Sequence, residues 1–383
     1  MNRSSAALCV LFAACTPMPG GDAGVGPDAG AVDAGAVDAG RDAGATDSGL
    51  PDAGPRDAGN GCGWPLDSGP SSGGCPAGSP GPTGGPPTTL PLDAGAVVHA
   101  NVTYGVRGGR VLQGDLWLPA PGATPKGILV MVHGGGWGDC NQRRDVVSPF
   151  AGFFMATQDV AVFNIEYRLA QEGGVYPANL GDVKCAVQFI TAQAATYGLD
   201  PTRVLIIGES AGAHLALMTA MTQDRADLDP GCSAQPPRVK AAFAYSPPTN
   251  LPALVVARGA ALAYTEGPCT TPVTTCGASC DRCIDASPLA HACTSPAKVM
   301  LVQAPDPFDA LIPASQSVSL AAALADAGAQ VRLLIADAGA IRAQTWVGLS
   351  CADAGISHGF QSACLLNPTY VELAAAIQDA LGP

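Results

Sequence analysis

The chain has 383 residues, 14 cysteines and a formal net charge of −13. That length leaves room for a sizeable buried core, and the acidic balance argues against nucleic acid as a partner. Beyond the first 15 residues, no segment is long and apolar enough to read as a membrane-spanning helix.

Residues 1–15 read as an export leader. Arg3 supplies a positive start, Ala6 to Ala14 an apolar stretch, and Leu11-Phe12-Ala13-Ala14-Cys15 resembles a bacterial lipobox, whose cysteine is acylated after cleavage. The expectation is a lipid anchor at Cys15 holding the protein to the outer membrane or cell surface. An ordinary cleaved signal, giving a secreted or periplasmic protein, is the alternative. Residues 16–95 repeat Asp-Ala-Gly at Asp22, Asp28, Asp33, Asp38, Asp42, Asp52 and Asp57, then run rich in Gly and Pro. With no recurring large apolar residue, this stretch cannot bury a core and reads as a disordered tether. Its aspartates do not fit the spacing of calcium loops. A flexible coil of this length would hold a domain roughly 50 Å from its anchor.

Apart from Cys9 and Cys15, the cysteines are Cys62, Cys75, Cys140, Cys185, Cys232, Cys269, Cys276, Cys280, Cys283, Cys293, Cys351 and Cys364. An even set in an exported chain reads as disulfides, with the pairing open. Cys269, Cys276, Cys280 and Cys283 could instead hold zinc. Outside the cytoplasm the disulfide reading is preferred.

Residues 96–383 read as one α/β domain. Asn101–Tyr104 and Val111–Leu118 alternate as an antiparallel pair about Gly108-Gly109. Continuous apolar runs at Gly127–Val132, Val160–Asn164 and Arg203–Ile207 predict buried strands, and Val239–Tyr245, Lys298–Val302 and Val331–Ile335 read as further strands. Helical spacing marks Asn179–Tyr197, Ala213–Met218, Ser317–Gly328 and Tyr370–Leu381. Strands alternating with helices predict a mostly parallel sheet covered on both sides. Residues 246–297, with five cysteines, interrupt this pattern on the side of the site and could form part of a cap.

Gly208-Glu209-Ser210-Ala211-Gly212 stands between a strand and a helix, the setting of a nucleophile elbow. The serine would sit on a turn too tight for side chains two residues away. His133-Gly134-Gly135-Gly136-Trp137 follows a strand, where glycines free backbone N–H groups to face an oxyanion. Of five histidines, His358 lies after the last strand and before the last helix, where a catalytic base arrives in this chain order. His99 opens the domain, His291 sits among cysteines, His133 reads as a structural hydrogen-bonder and His214 as a packed helix residue. The acid should follow Lys298–Val302. Asp309, four residues before Pro313, is favoured over Asp306.

From about Val102 onward the chain resembles α/β-hydrolases of the hormone-sensitive-lipase-like group and related carboxylesterases and feruloyl-esterase-like proteins. The likeness rests on His133–Trp137, Asn164–Leu169, Tyr176–Asp182, Tyr197–Arg203, Gly208–Ala216, Asp309–Pro313 and His358–Phe360. It implies Ser210 as nucleophile, His358 as base and then acid, and Asp309 as the group that orients it. It also implies Gly135, Gly136 and Ala211 as oxyanion donors, with Arg168 and Asp182 structural. The family usually has glycine where Asp306 stands, so the two aspartates remain open at this point. A Cys351–Cys364 bridge flanking His358 is expected as a clamp. Trp137 and the cysteine-rich segment are expected to shape the pocket. The implied activity is hydrolysis of small or polysaccharide-linked carboxylic esters, acetyl or feruloyl among them, with no cofactor and no metal. The rival is a non-catalytic surface-binding protein with the same fold.

Overall fold

The computed structural model describes residues 95–254, 261, 264–266, 269, 273, 279, 281–294, 297–343, 345–346, 349–351 and 357–382. The leader, Cys15, the tether, Cys62 and Cys75 lie outside them, as do Cys276, Cys280 and much of the segment 246–297.

Eight strands make one sheet: β1 (Val97–Arg107), β2 (Arg110–Leu118), β3 (Ile128–Val132), β4 (Ala161–Ile165), β5 (Val204–Glu209), β6 (Ala241–Tyr245), β7 (Lys298–Gln303) and β8 (Val331–Ile335). Their order is β1-β2-β4-β3-β5-β6-β7-β8. The β1–β2 hairpin and the β2–β4 pair are antiparallel, and every pair from β4 to β8 is parallel. Every residue of β3, β4, β5 and β6 is buried, as their unbroken apolar runs require.

Alternation along the strands divides the core in two. Ile128, Val130 and Val132 face one side with α2 (Ala178–Gln193), α3 (Ala211–Met221) and the helix Ser315–Asp326. Leu129 and Met131 face the other with α1 (Arg144–Gln158) and the helix Ala363–Leu381. Both faces are therefore covered.

Three disulfides join described residues: Cys185–Cys232, Cys269–Cys283 and Cys351–Cys364. Cys140 and Cys293 are also disulfide-bonded. The second bridge consumes two of the four candidate zinc ligands, and among the described residues no cluster of His, Cys, Asp and Glu could hold a metal ion.

Candidate active site

The parallel strands deliver their following loops to one edge of the sheet, and every candidate residue sits on such a loop. Ser210 stands between β5 and α3 with φ +52° and ψ −123°, an uncommon conformation for a residue with a side chain. Its flanking glycines are obligatory. A Cβ on Gly208 would lie 2.3 Å from the Gly212 carbonyl oxygen, and one on Gly212 would lie 2.2 Å from that of Val132. Ala211 opens α3, so its amide is among the orphan donors of a helix start.

After β7, Asp309 is buried and gathers donors. Its Oδ1 accepts from the amides of Leu311 and Ile312, both at 3.0 Å, and its Oδ2 from Gln303 Nε2 at 3.2 Å. His358 Nδ1 lies 2.9 Å from Oδ2 and 3.1 Å from Oδ1. A carboxylate facing Nδ1 places the ring proton there and leaves the Nε2 lone pair available. Burial alone would raise the Asp309 pKa, yet His358, the Ile312 amide and the Ser246 hydroxyl together hold it below its ordinary value. Asp306 is exposed and accepts from the Ala314 amide at 3.1 Å. Geometry therefore pairs His358 with Asp309.

The glycine loop is held from behind. Tyr167 donates its hydroxyl to the carbonyls of His133 and Gly134, each at 3.1 Å, and its ring stacks on the His133 imidazole at 4.3 Å. The His133 ring touches the Gly134 carbonyl through Nδ1 and Glu166 through Nε2. A peptide's C=O and N–H point in opposite directions, so the Gly135 amide projects away from Tyr167. The Gly135 carbonyl accepts from the amides of Gly138 and Asp139, which turns the Gly136 N–H the other way. Glu166 in turn meets Arg143 at 2.7 Å, and Arg143 meets Glu172 at 2.6 Å. His133 is thus a structural group, as read from the sequence. Arg168 and Asp182 are too, forming a fully buried bidentate pair at 2.7 and 2.8 Å.

Ser210, His358, Gly135 and Gly136 all line one open cavity of about 900 Å³. Gln142, Gln171, Glu209, Glu266 and Gln361 add polar groups to its wall. Glu266 comes from the cysteine-rich segment, which to that extent shapes the pocket. Trp137 does not line it, and its indole is buried behind the loop.

Besides Tyr167, two contributors carried no functional reading in the sequence. Glu209, the variable residue of the elbow, accepts from the Gln361 amide at 3.0 Å and also from the Gln361 side chain, joining the elbow to the His358 loop. Burial raises its pKa, against the pull of those two donors. Ser246, at φ +48°, accepts from the Gly359 amide at 3.2 Å. Its position at the end of β6, beside the elbow strand, was the available signal. The Cys351–Cys364 bridge spans His358 as expected.

The family profile described as BD-FAE matches residues 114–324, which hold the glycine loop, the elbow and Asp309. The chain belongs to the BD-FAE family. His358 falls beyond the matched stretch of this BD-FAE chain, and it reaches the site through the loop closed by Cys351–Cys364. Among curated relatives, Esterase LipQ of Mycobacterium tuberculosis is 33% identical over 153 residues, covering 39% of this chain and 35% of LipQ. The chain spans about a third or less of the length of the first curated relatives it matches. Solved structures share the α/β-hydrolase fold. A truncated carbohydrate esterase from gut microbiota has TM-score 0.57 at 18% identity, over 74% of this chain and 96% of that one. The thermophilic esterase Est2 of Thermogutta terrifontis has TM-score 0.55 at 21% identity, over 75% and 95%.

Proposed function

We propose that this BD-FAE chain is a serine carboxylesterase. The observation that carries the reading is the His358–Asp309 pair opening on the same cavity as Ser210 and the glycine loop. Ser210 Oγ attacks the ester carbonyl while His358 Nε2 takes its proton. The carbonyl oxygen, now negative, is met by the amides of Gly135, Gly136 and Ala211. Collapse breaks the ester C–O bond, the alcohol leaves with the proton from His358, and the acyl group stays on Ser210. Water attacks the acyl-enzyme, His358 again taking and returning a proton, and the acid is released. Asp309 holds the imidazole throughout. Esterase names among the relatives support the reading.

Gln142, Gln171, Glu266 and Gln361, polar side chains on an otherwise mostly apolar cavity wall, support, as a second reading within this class, acetyl or feruloyl esters carried on polysaccharide. An exported, lipid-anchored position would suit such a substrate and is part of the proposal, supported by the leader-like residues 1–15 and the disulfides.

Hydrolysis of p-nitrophenyl esters from acetyl to longer chains tests the activity, with Ser210→Ala as control. The expected result is turnover of short chains that vanishes in Ser210→Ala, with fluorophosphonate labelling of Ser210. Folded protein that neither turns over esters nor takes the label would favour the non-catalytic binding protein.

A further inference from the structure

Trp137 closes a run of three left-handed residues, with φ +98° at Gly135, +55° at Gly136 and +60° at Trp137 itself. Glycine adopts that region freely, but a bulky residue there is strained, at roughly 1–3 kcal/mol, and persists only where its surroundings hold it. Nothing intrinsic to Gly135 or Gly136 selects the left-handed form over any other. The loop's shape must therefore be imposed by what holds it: the Gly138 and Asp139 amides on the Gly135 carbonyl, the Ala170 amide on the Trp137 carbonyl, and side chains at its two ends. His133 and Tyr167 fix the first end; the second end is Trp137.

The holding groups at Trp137 are specific. Its indole stacks on Tyr264 with centroids 4.7 Å apart and planes 11° from parallel. The indole N–H donates to His214 Nδ1 at 3.3 Å, and the two rings meet edge-on at 5.1 Å. His214 is four residues past Ser210 on α3, and its Nε2 lies 2.6 Å from the Ala286 carbonyl. A carbonyl only accepts, so Nε2 carries the proton and Nδ1 is left as the acceptor the indole needs. Tyr264 also meets His214 and Tyr176 edge-on, at 5.3 and 6.0 Å. One helix thus carries Ser210 at its start and, a turn later, the ring that pins the glycine loop.

Resting on the esterase reading, we propose that Trp137, pinned by the His214 Nδ1 acceptor and the Tyr264 ring, is the positioning residue that sets the Gly135 and Gly136 amides for the oxyanion. It touches no substrate. The effect belongs to kcat, because the oxyanion forms only once Ser210 attacks and is absent from the bound ester.

The test uses Trp137→Phe, which keeps a ring and removes the N–H, and two substitutions of His214. His214→Gln can still donate to Ala286 but offers no acceptor at the Nδ1 position. His214→Asn restores an acceptor there and gives up the Ala286 bond. On a short p-nitrophenyl ester, Trp137→Phe and His214→Gln should each lower kcat about 10-fold or more, below the ~10²–10³ for outright loss of an oxyanion donor. KM should stay within about 2-fold, and His214→Asn should stay within about 3-fold of wild type in kcat. The double variant Trp137→Phe/His214→Gln should be no slower than the worse single, since both remove one interaction. Wild-type kcat in both singles, an effect confined to KM, or His214→Asn as slow as His214→Gln would overturn the inference while leaving the esterase reading intact. A wild type that hydrolyses nothing and takes no fluorophosphonate would overturn the esterase reading, and this inference with it. If Trp137→Phe does not fold, the contrast between the two His214 variants still decides.

Discussion

Asp309 satisfies both carboxylate oxygens with donors from its own loop and from β7 before His358 adds its own. An amide in its place could present N–H to the imidazole and force the wrong tautomer. Asp309→Asn should therefore lower kcat by about 10³–10⁴ with the fold retained. Asp306→Asn should change it by no more than about 2-fold, since that carboxylate only caps an exposed turn. Steady-state rates on one ester decide, and a collapse in Asp306→Asn would move the acid. Tyr264 makes a different case: its hydroxyl is buried with no partner among the described residues. Tyr264→Phe keeps the stacked ring and should leave stability unchanged or raise it by about 1 kcal/mol, read from denaturant midpoints. The pairing of His358 with Asp309 came from the structure. At this scale Ser210, His358 and a choice between two aspartates were legible, because they stand in short motifs at the ends of strands. Tyr167, Glu209 and Ser246 were not, because their work is done on residues distant in the chain.

The central strands were legible as elements because both-face burial leaves largely apolar runs, whereas the edge strand β8 is only partly buried and interrupted by Arg332. The predicted bounds fall within a few residues of β3 to β8. Helix α1 had no counterpart in the sequence reading. Its apolar face of Val147, Ala151, Phe154 and Met155 has helical spacing, but Pro149 sits inside it and neither end carries a side-chain cap. Packing against β4 outweighs the local signals. The last helix begins seven residues earlier than Tyr370, reaching back past Pro368 to the Cys351–Cys364 bridge. That bridge closes the loop bearing His358, so Cys351→Ser with Cys364→Ser should lower kcat about 10-fold or more while most of the fold survives. Unchanged turnover in the folded double variant would show that Glu209 and Ser246 hold the loop unaided. Where α3 meets Ala286, burial pushes the His214 pKa down from 6.5 to about 4, the Ala286 carbonyl opposing and His291 reinforcing the shift. A depressed pKa means the unfolded chain takes up the proton first. Stability is therefore full above pH 6.5 and falls as pH drops towards 4, by on the order of 3 kcal/mol. His214→Asn should melt with a visibly flatter dependence over that window, and parallel curves would refute it.

Across the whole molecule, the sheet is a set of pairings between distant stretches, and covalent links reinforce it. Cys185 on α2 joins Cys232 across 47 residues, with Arg107 of β1 contacting the Cys232 sulfur. Closing a loop of that length should contribute about 4 kcal/mol in the chain-entropy account. Cys185→Ala with Cys232→Ala should lower the melting temperature accordingly, and an unchanged melt would show that packing alone sets the domain's stability.

The groups of the proposed site enter the chain in a fixed succession: glycine loop at 134–136, serine at 210, aspartate at 309, histidine at 358. A ribosome makes them in that order, and the helix that backs β3 and α1 comes after them all. Each nascent intermediate up to residue 357 therefore holds a serine without its base. On the proposed triad, the growing chain should hydrolyse nothing until His358 has been made. Released full-length chain should take up fluorophosphonate and ribosome-bound chains stalled before His358 should not, and equal labelling would count against this delay.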